Sequence, residues 1–311
     1  MKPHLLDDWQ ADKLVFPMIG QPKVDGVRAL NMTGRLTGRS LKPFKNRYLT
    51  TQLSHSALVG FDGELAADRE THPDLCRITS SVTGTILGEP YVLWWLFDYV
   101  TVENKNAGYE HRMLQLQERV RQIAGEAPHL FPHLRIMPSR VLHSLEELEA
   151  FDDENLIAGY EGTVLCGPDM PHKDGRAGKK LYKWRIKRFV DFEFRVHTII
   201  EGEENQNEAQ TNELGNTFRS SHQENKVANG MVGAMLGTVL ADVMDGDTLL
   251  FPKGAEVRVG AGCLTHEQRK HYFINQDEFK SLIHKAKFFP KGIKDKPRFP
   301  TWQSFRNAED M

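Results

Sequence analysis

Short apolar runs, each stopped by Gly, Pro, Asn or Asp, recur along the chain from Leu14 to Phe289, and this rhythm constrains the fold more than any other feature. Residues 14–19, 27–32, 58–66, 92–99 and 159–165 are too short for ordinary helices and read as strands. Helical periodicity is confined to residues 109–123, to residues 145–157 behind the N-cap Ser144 with Glu147 three positions on, and to residues 265–273. Beyond Asp191 the texture changes to about five short strands with one helix, which suits a small barrel of the OB type. A boundary is therefore expected at residues 188–192, giving domains 1–189 and 190–311. Residues 201–230, rich in Glu, Asn and Gln, read by composition as a flexible loop.

Hydrophobic residues at 40% and charged residues at 26% are ordinary globular values and exclude wholesale disorder. The longest apolar stretches, 91–97 and 231–240, are too short or too glycine-rich to span a bilayer, and the first eight residues have no apolar signal core. A soluble, cytoplasmic protein without a membrane partner is expected. Cys76, Cys166 and Cys263 are an odd, widely spaced set, which points to reduced thiols rather than disulfides or zinc. The net charge of -2 hides an uneven distribution: residues 1–60 hold nine Lys/Arg against four Asp/Glu, and residues 251–311 hold twelve against seven. Acids gather instead in 146–161 and 201–213, so a basic face for phosphates is compatible with the total.

The chemistry-bearing residues fall inside the strand signals. Gln21-Pro22-Lys23-Val24-Asp25-Gly26-Val27-Arg28 sets one lysine between an apolar run and a glycine turn. An amine with a pKa near 10 attacks at neutral pH only if its surroundings depress that value, and Asp25 is placed to orient it. Gly26 is expected to let the backbone approach a phosphate. Arg39, Lys42, Lys45 and Arg47 form a basic loop. Period two puts Asp62 and Glu64 on one face of a strand, where carboxylates suit ribose hydroxyls or a metal. Residues 92–99 read as a buried strand whose aromatic side chains are most often core, with one of them able to stack on a base. Lys183, Arg185 and Lys187 share another strand face, an arrangement that repels itself unless an anion sits among the three.

In this order the pieces resemble the ATP-dependent DNA ligases of the covalent nucleotidyltransferase superfamily, and among them the minimal viral ligases of the Chlorella virus type. Lys23-Val24-Asp25-Gly26-Val27-Arg28 is similar to the nucleophile motif, Arg39 with Lys42-Pro43 to the basic motif, and Phe61-Asp62-Gly63-Glu64 to the third. Leu96-Phe97-Asp98-Tyr99 is similar to the aromatic motif, Glu161-Gly162 to the fourth and Arg185-Ile186-Lys187 to the fifth. The segment from Gly292 to Pro300 and Phe305-Arg306 are similar to the ends of compact viral members. The resemblance implies an α+β chain: a nucleotidyltransferase (adenylation) domain of antiparallel sheets with helices, followed by an OB-fold β-barrel.

It also implies a reaction. Lys23 attacks the α-phosphate of ATP to give a lysyl-AMP, the AMP passes to the 5′-phosphate of a nick in duplex DNA, and the 3′-hydroxyl displaces it. Under this resemblance Glu64 holds the ribose and Phe97 stacks on adenine. Arg185 and Lys187 contact the α-phosphate and depress the pKa of Lys23. Glu161, with Glu64, supports Mg²⁺ or Mn²⁺. Arg28 and Arg39 bind AMP or nick phosphates, Lys42 meets DNA, and Asp25 serves the nick terminus. Arg298 orients pyrophosphate, with Arg306 beside it or on DNA. Residues 201–230 become a hairpin latch whose Arg219 and Ser220 touch duplex DNA, and the protein acts as a monomeric clamp.

The chain departs from the family pattern in three places. Arg185 stands where lysine is usual, Cys166 where a basic residue is common, and the chain ends Glu309-Asp310-Met311 without a final cation. An RNA ligase or an mRNA capping guanylyltransferase of the same superfamily is the first alternative. The second is a non-enzymatic OB-type nucleic-acid-binding protein with a structural Lys23.

Overall fold

Every second side chain of residues 93–99 is buried, Trp94, Leu96 and Asp98 facing inward, and this period of two makes the segment a strand. The same logic builds a molecule of sheets with few helices. The computed structural model describes residues 1–176, 183–290 and 296–306, which divide into two units, 1–187 and 188–311. The C-terminal residues 292–295 and 309–311 singled out above lie outside the described residues.

The described strands of the first unit are β1 (His4–Leu5), β2 (Asp7–Asp8), β3 (Met18–Pro22), β4 (Val27–Asn31), β5 (Thr37–Gly38), β6 (Phe61–Ala66), β7 (Leu93–Tyr99), β8 (Leu134–Ile136), β9 (Arg140–Leu142), β10 (Thr163–Cys166), β11 (Gly175–Arg176) and β12 (Lys183–Ile186). One five-stranded sheet runs β2-β12-β10-β3-β9 and the other β5-β4-β6-β7-β8, while β1 and β11 form a short parallel pair. The helices are α1 (Arg47–Leu53), α2 (Leu75–Gly84), α3 (Tyr109–Glu126) and α4 (Leu145–Ile157).

Helix α3 lays Leu116, Val120 and Ile123 into the same core as Phe61, Trp94 and Leu96. Helix α4 begins as its sequence requires: Ser144 Oγ accepts the Glu147 N–H at 3.2 Å, and the Glu147 carboxylate accepts the His143 N–H at 2.8 Å. Helix α2 has no counterpart in the sequence reading. Its inward face carries Thr79 and Thr83, whose hydroxyls accept the Ala67 N–H at 3.1 Å and donate to the Thr79 carbonyl at 2.8 Å. Satisfied hydroxyls replace the apolar stripe that betrays a helix.

The second unit contains β13 (Val190–Asn205), β14 (Ala209–Thr211), β15 (Thr217–Arg219), β16 (Lys226–Val239), β17 (Val243–Asp245), β18 (Thr248–Phe251), β19 (Glu256–Gly260), α5 (His266–Ile274), α6 (Gln276–Ser281), β20 (Ile283–Phe289) and β21 (Arg298–Arg306). Strands β13-β16-β19-β21-β20 close into a barrel around Phe194, Met235, Val259, Phe279 and Phe288. The reading of residues 201–230 as a flexible loop is corrected: β13 and β16 continue as an antiparallel ladder into both ends of that stretch, to Asn205 and from Lys226, with β14 and β15 as a small hairpin between them. Composition failed there because side-chain amides build the turn. Asn207 Nδ2 donates to the Ser220 carbonyl at 3.0 Å and to the His222 carbonyl at 2.8 Å, and Asn205 Nδ2 to the Ser220 carbonyl at 2.7 Å. No described helix is long and apolar enough to cross a membrane.

Candidate active site

The backbone fixes Lys23 before its side chain does anything. Its N–H donates to the Gly162 carbonyl and its carbonyl accepts the Glu161 N–H, both at 2.8 Å, so the end of β3 is pinned to the segment entering β10. Two glycines permit the approach. A Cβ on Gly162, whose φ is +146°, would lie 2.3 Å from the Ile186 carbonyl oxygen. A Cβ on Gly26 would lie 2.2 Å from the Leu65 carbonyl oxygen, so in this structure that glycine answers to strand β6 rather than to a phosphate.

Lys23 lies in the wall of a cavity of about 200 Å³ within the first unit. Of the residues expected at the site, Lys23, Arg28, Arg39, Glu64, Phe97 and Arg185 all line it. The wall also includes Leu5, Gln21, Met137, Val164, Arg176 and Lys183, which the sequence had not marked as site residues, Lys183 excepted as a strand cation. Gln21 was legible in principle, since period two from Lys23 on β3 places it on the same face. Leu5 carried no signal, because it reaches the site only through parallel pairing with Arg176.

Electrostatics tie the site together. The Glu161 carboxylate, 2% exposed, is held by both Lys23 and Lys187, the two lysines being 18% and 22% exposed. Arg28 makes a bidentate pair with Asp62, at 3.0 and 2.6 Å, and its guanidinium carbon stands 5.1 Å from the centre of the Phe97 ring. Arg185 Nε meets Asp8 at 2.7 Å. The mutual repulsion expected of the β12 cations is therefore relieved at two positions, Arg185 and Lys187, by acids from distant parts of the chain.

This arrangement corrects the expectation that Arg185 and Lys187 depress the pKa of Lys23. Burial does pull it down, but Glu161, then Glu64 and Asp25, outweigh burial and hold the ammonium above its ordinary value. Arg185 is engaged by Asp8 and Lys187 by Glu161, so neither acts on the amine as an uncompensated cation. Lys187 is itself pulled down, chiefly by burial. Glu161 stays below the usual carboxylate range because Lys23 and Lys187 overcome its burial.

Glu64 is pushed up to about 7, first by burial and further by the Glu161 and Asp25 carboxylates, against the pull of Lys23 and Arg28. A carboxyl whose folded pKa lies above its unfolded one binds protons more tightly in the native state. Its stabilising share is thus complete at low pH and is lost as pH rises from about 4.5 to about 7. Glu64→Gln is expected to flatten this part of the stability profile and to raise stability above pH 7 by about 2–3 kcal/mol. Denaturant unfolding at pH 5 and pH 8 measures it, and parallel profiles for variant and wild type would contradict it.

The remaining expected residues fall outside the cavity wall. Asp25 is 8% exposed and near enough to act on Lys23. Lys42 is exposed beside β5, its carbonyl accepting the Gly38 N–H at 2.9 Å. In the second unit, Arg219 donates to the Asn207 carbonyl, Ser220 Oγ accepts the His222 N–H at 3.3 Å, and Arg306 pairs with Glu193 at 2.8 Å. Arg298 opens β21 against the rings of Phe289 and Phe299.

No group of three or more His, Cys, Asp or Glu side chains suited to a metal occurs among the described residues. Glu161 and Glu64 nevertheless offer hard oxygen donors, and each is near enough to Lys23 to act on it. Two protein carboxylates with water and phosphate completing the shell are what Mg²⁺ commonly takes, so this donor set fits that ion.

No protein-family model and no curated protein matches the chain. Solved structures do. The Chlorella virus DNA ligase-adenylate is 22% identical with a TM-score of 0.52, covering 98% of this chain and 99% of that one. A Lig E DNA ligase, described as binding DNA with a minimal scaffold, is 18% identical with a TM-score of 0.68 and the same coverage. The ATP-dependent DNA ligase of bacteriophage T7, in complex with ATP, is 13% identical with a TM-score of 0.50, covering 98% of each chain. Across nearly its whole length the chain has the fold of these ligases.

Proposed function

We propose that this protein is an ATP-dependent DNA ligase that seals 3′-hydroxyl/5′-phosphate nicks through a lysyl-AMP. The observation that carries the reading is the convergence of Lys23, Glu64, Phe97, Arg28, Arg39 and Arg185 on one cavity, with Glu161 paired to both Lys23 and Lys187. Lys23 supplies the nucleophile: its ammonium loses one proton, Nζ forms the bond to the α-phosphorus as the bond to pyrophosphate breaks, and the nitrogen releases a second proton to leave the phosphoramidate, both protons passing to solvent. Glu161, ion-paired with Nζ, orients the amine toward the α-phosphorus. Phe97 offers a face for adenine, Glu64 an acceptor for ribose hydroxyls, and Arg185 and Lys187 positive charge for the α-phosphate. Mg²⁺, held by Glu161 and Glu64 with Mn²⁺ as a substitute, would neutralise phosphate charge.

In the later steps Asp25, Arg28, Arg39 and Lys42 serve the nick. The β14–β15 hairpin with Arg219 and Ser220 closes on duplex DNA, Arg298 and Arg306 orient pyrophosphate or bind DNA, and the enzyme works as a monomeric clamp in the cytoplasm. Incubation with α-labelled ATP is expected to leave label on the denatured protein, and nicked duplex DNA to be sealed at its expense. Label from GTP alone, or label without sealing of any DNA nick, would overturn the reading in favour of a capping enzyme or an RNA ligase.

A further inference from the structure

Lys183 is 2% exposed and lines the same cavity, yet its Nζ has no hydrogen-bond acceptor among the described residues. Its neighbours on the strand face, Arg185 and Lys187, are partly open to solvent and paired with acids. Of the three, Lys183 alone is buried. The Nζ stands 5.3 Å from the centre of the Phe97 ring and 5.9 Å from that of Tyr109. Of the groups nearby, the Asp98 carboxylate is committed to Arg112 at 2.8 and 3.1 Å, and the thiol of Cys166, its partner across the β10–β12 ladder, stays protonated with a pKa of about 11. His4 and His172 are neutral, burial being the main cause.

A desolvated ammonium with no acceptor is costly, and a fold that keeps one in a cavity wall is suited to a ligand that brings the acceptor. Ammonium is a pure donor, so the ligand atom facing it must offer a lone pair. The surroundings define the rest of that ligand: the same wall holds the Phe97 ring, Val164 and Met137, apolar surface suited to an aromatic ring, together with Lys23 and the cations Arg28, Arg39 and Arg185, suited to phosphate. We propose that Lys183 is a specificity-determining residue, donating a hydrogen bond to a ring-nitrogen acceptor on the edge of the nucleobase held against Phe97. This rests on the nucleotide reading above and adds a base-reading contact to it.

The test compares lysyl-nucleotide formation from ATP with that from 1-deaza-, 3-deaza- and 7-deaza-ATP, each lacking one ring acceptor. For wild type, one of the three is expected to lose about 10–100-fold in kcat/KM. Lys183→Met, similar in length and uncharged, is expected to lose the same factor with ATP and to treat ATP and that analogue alike. Lys183→Arg, which keeps donors, is expected to retain the discrimination and covers the case in which the methionine variant does not fold. Equal use of all four nucleotides by wild type, or undiminished discrimination by Lys183→Met, overturns the proposal while leaving nucleotidyl transfer intact. Failure of wild type to form an adduct from ATP overturns both and is seen before any analogue is added.

Discussion

Lys23→Ala is expected to retain no AMP after denaturation and to seal an ordinary 5′-phosphate nick roughly four orders of magnitude more slowly than wild type. The same variant is expected to close a nick whose 5′ end already carries AMP, because that step uses the 3′-hydroxyl as nucleophile and needs no lysine. Gel assays on the two substrates separate these outcomes. An adduct that survives the substitution would move the nucleophile elsewhere. The ion pair with Glu161 adds a pH signature: since Lys23 is held above its ordinary pKa, adduct formation in wild type should keep rising through the alkaline range, beyond the ionisation of Glu64 at about 7.

Arg112→Met is expected to cost about 3–5 kcal/mol of stability, a large share of what a domain possesses. Both Arg112 and Asp98 have fully buried side chains, and the guanidinium also donates to the carbonyls of Ala107 at 2.6 Å and Met170 at 2.9 Å. Burial works against Asp98, but Arg112 holds its carboxyl below the usual range, so losing the arginine strands an anion and two carbonyls together. A melting temperature lower by roughly 10 °C is the expected reading. The double variant Asp98→Leu/Arg112→Met should recover part of the loss, because it removes the stranded charge as well. A single variant as stable as wild type would show that the pair is dispensable. Phe97 stands next to Asp98, so a loosened strand is also expected to weaken nucleotide binding.

Much of the site was legible because strand periodicity turns sequence spacing into shared faces. Glu64 with Asp62, and Lys183 with Arg185, needed only period two and a turn signal. What stayed hidden came from contacts far apart in sequence. Arg112 read as one residue of a scaffold helix, and nothing local announces that its partner is Asp98 on another element. Lys183 read as the equal of Arg185 and Lys187, although its burial depends on β10 lying across from it. Cys166 is instructive here: it lacks the positive charge common at that point in the resembling family, but its ladder partner is Lys183, so a cation still occupies that rung from the opposite strand. Composition alone missed the amide-built hairpin turn of residues 205–222, which only the resemblance implied, since Asn and Ser signal loops by composition whether or not their side chains bond one another.

The short strands β1 and β2 carry a consequence for synthesis. His4 and Leu5 pair with Gly175 and Arg176, Asp7 and Asp8 with Trp184 and Arg185, so strands early in the unit are joined to strands made much later. At ordinary translation rates, roughly ten to thirty seconds separate the making of Lys23 from that of Arg185. During that interval the nascent chain holds Lys23, Arg28 and Arg39 but not Arg176, Lys183 and Arg185 from the rest of the cavity wall. The cavity wall around Lys23 is therefore complete only in the finished unit, and the ribosome-bound intermediate has no complete pocket.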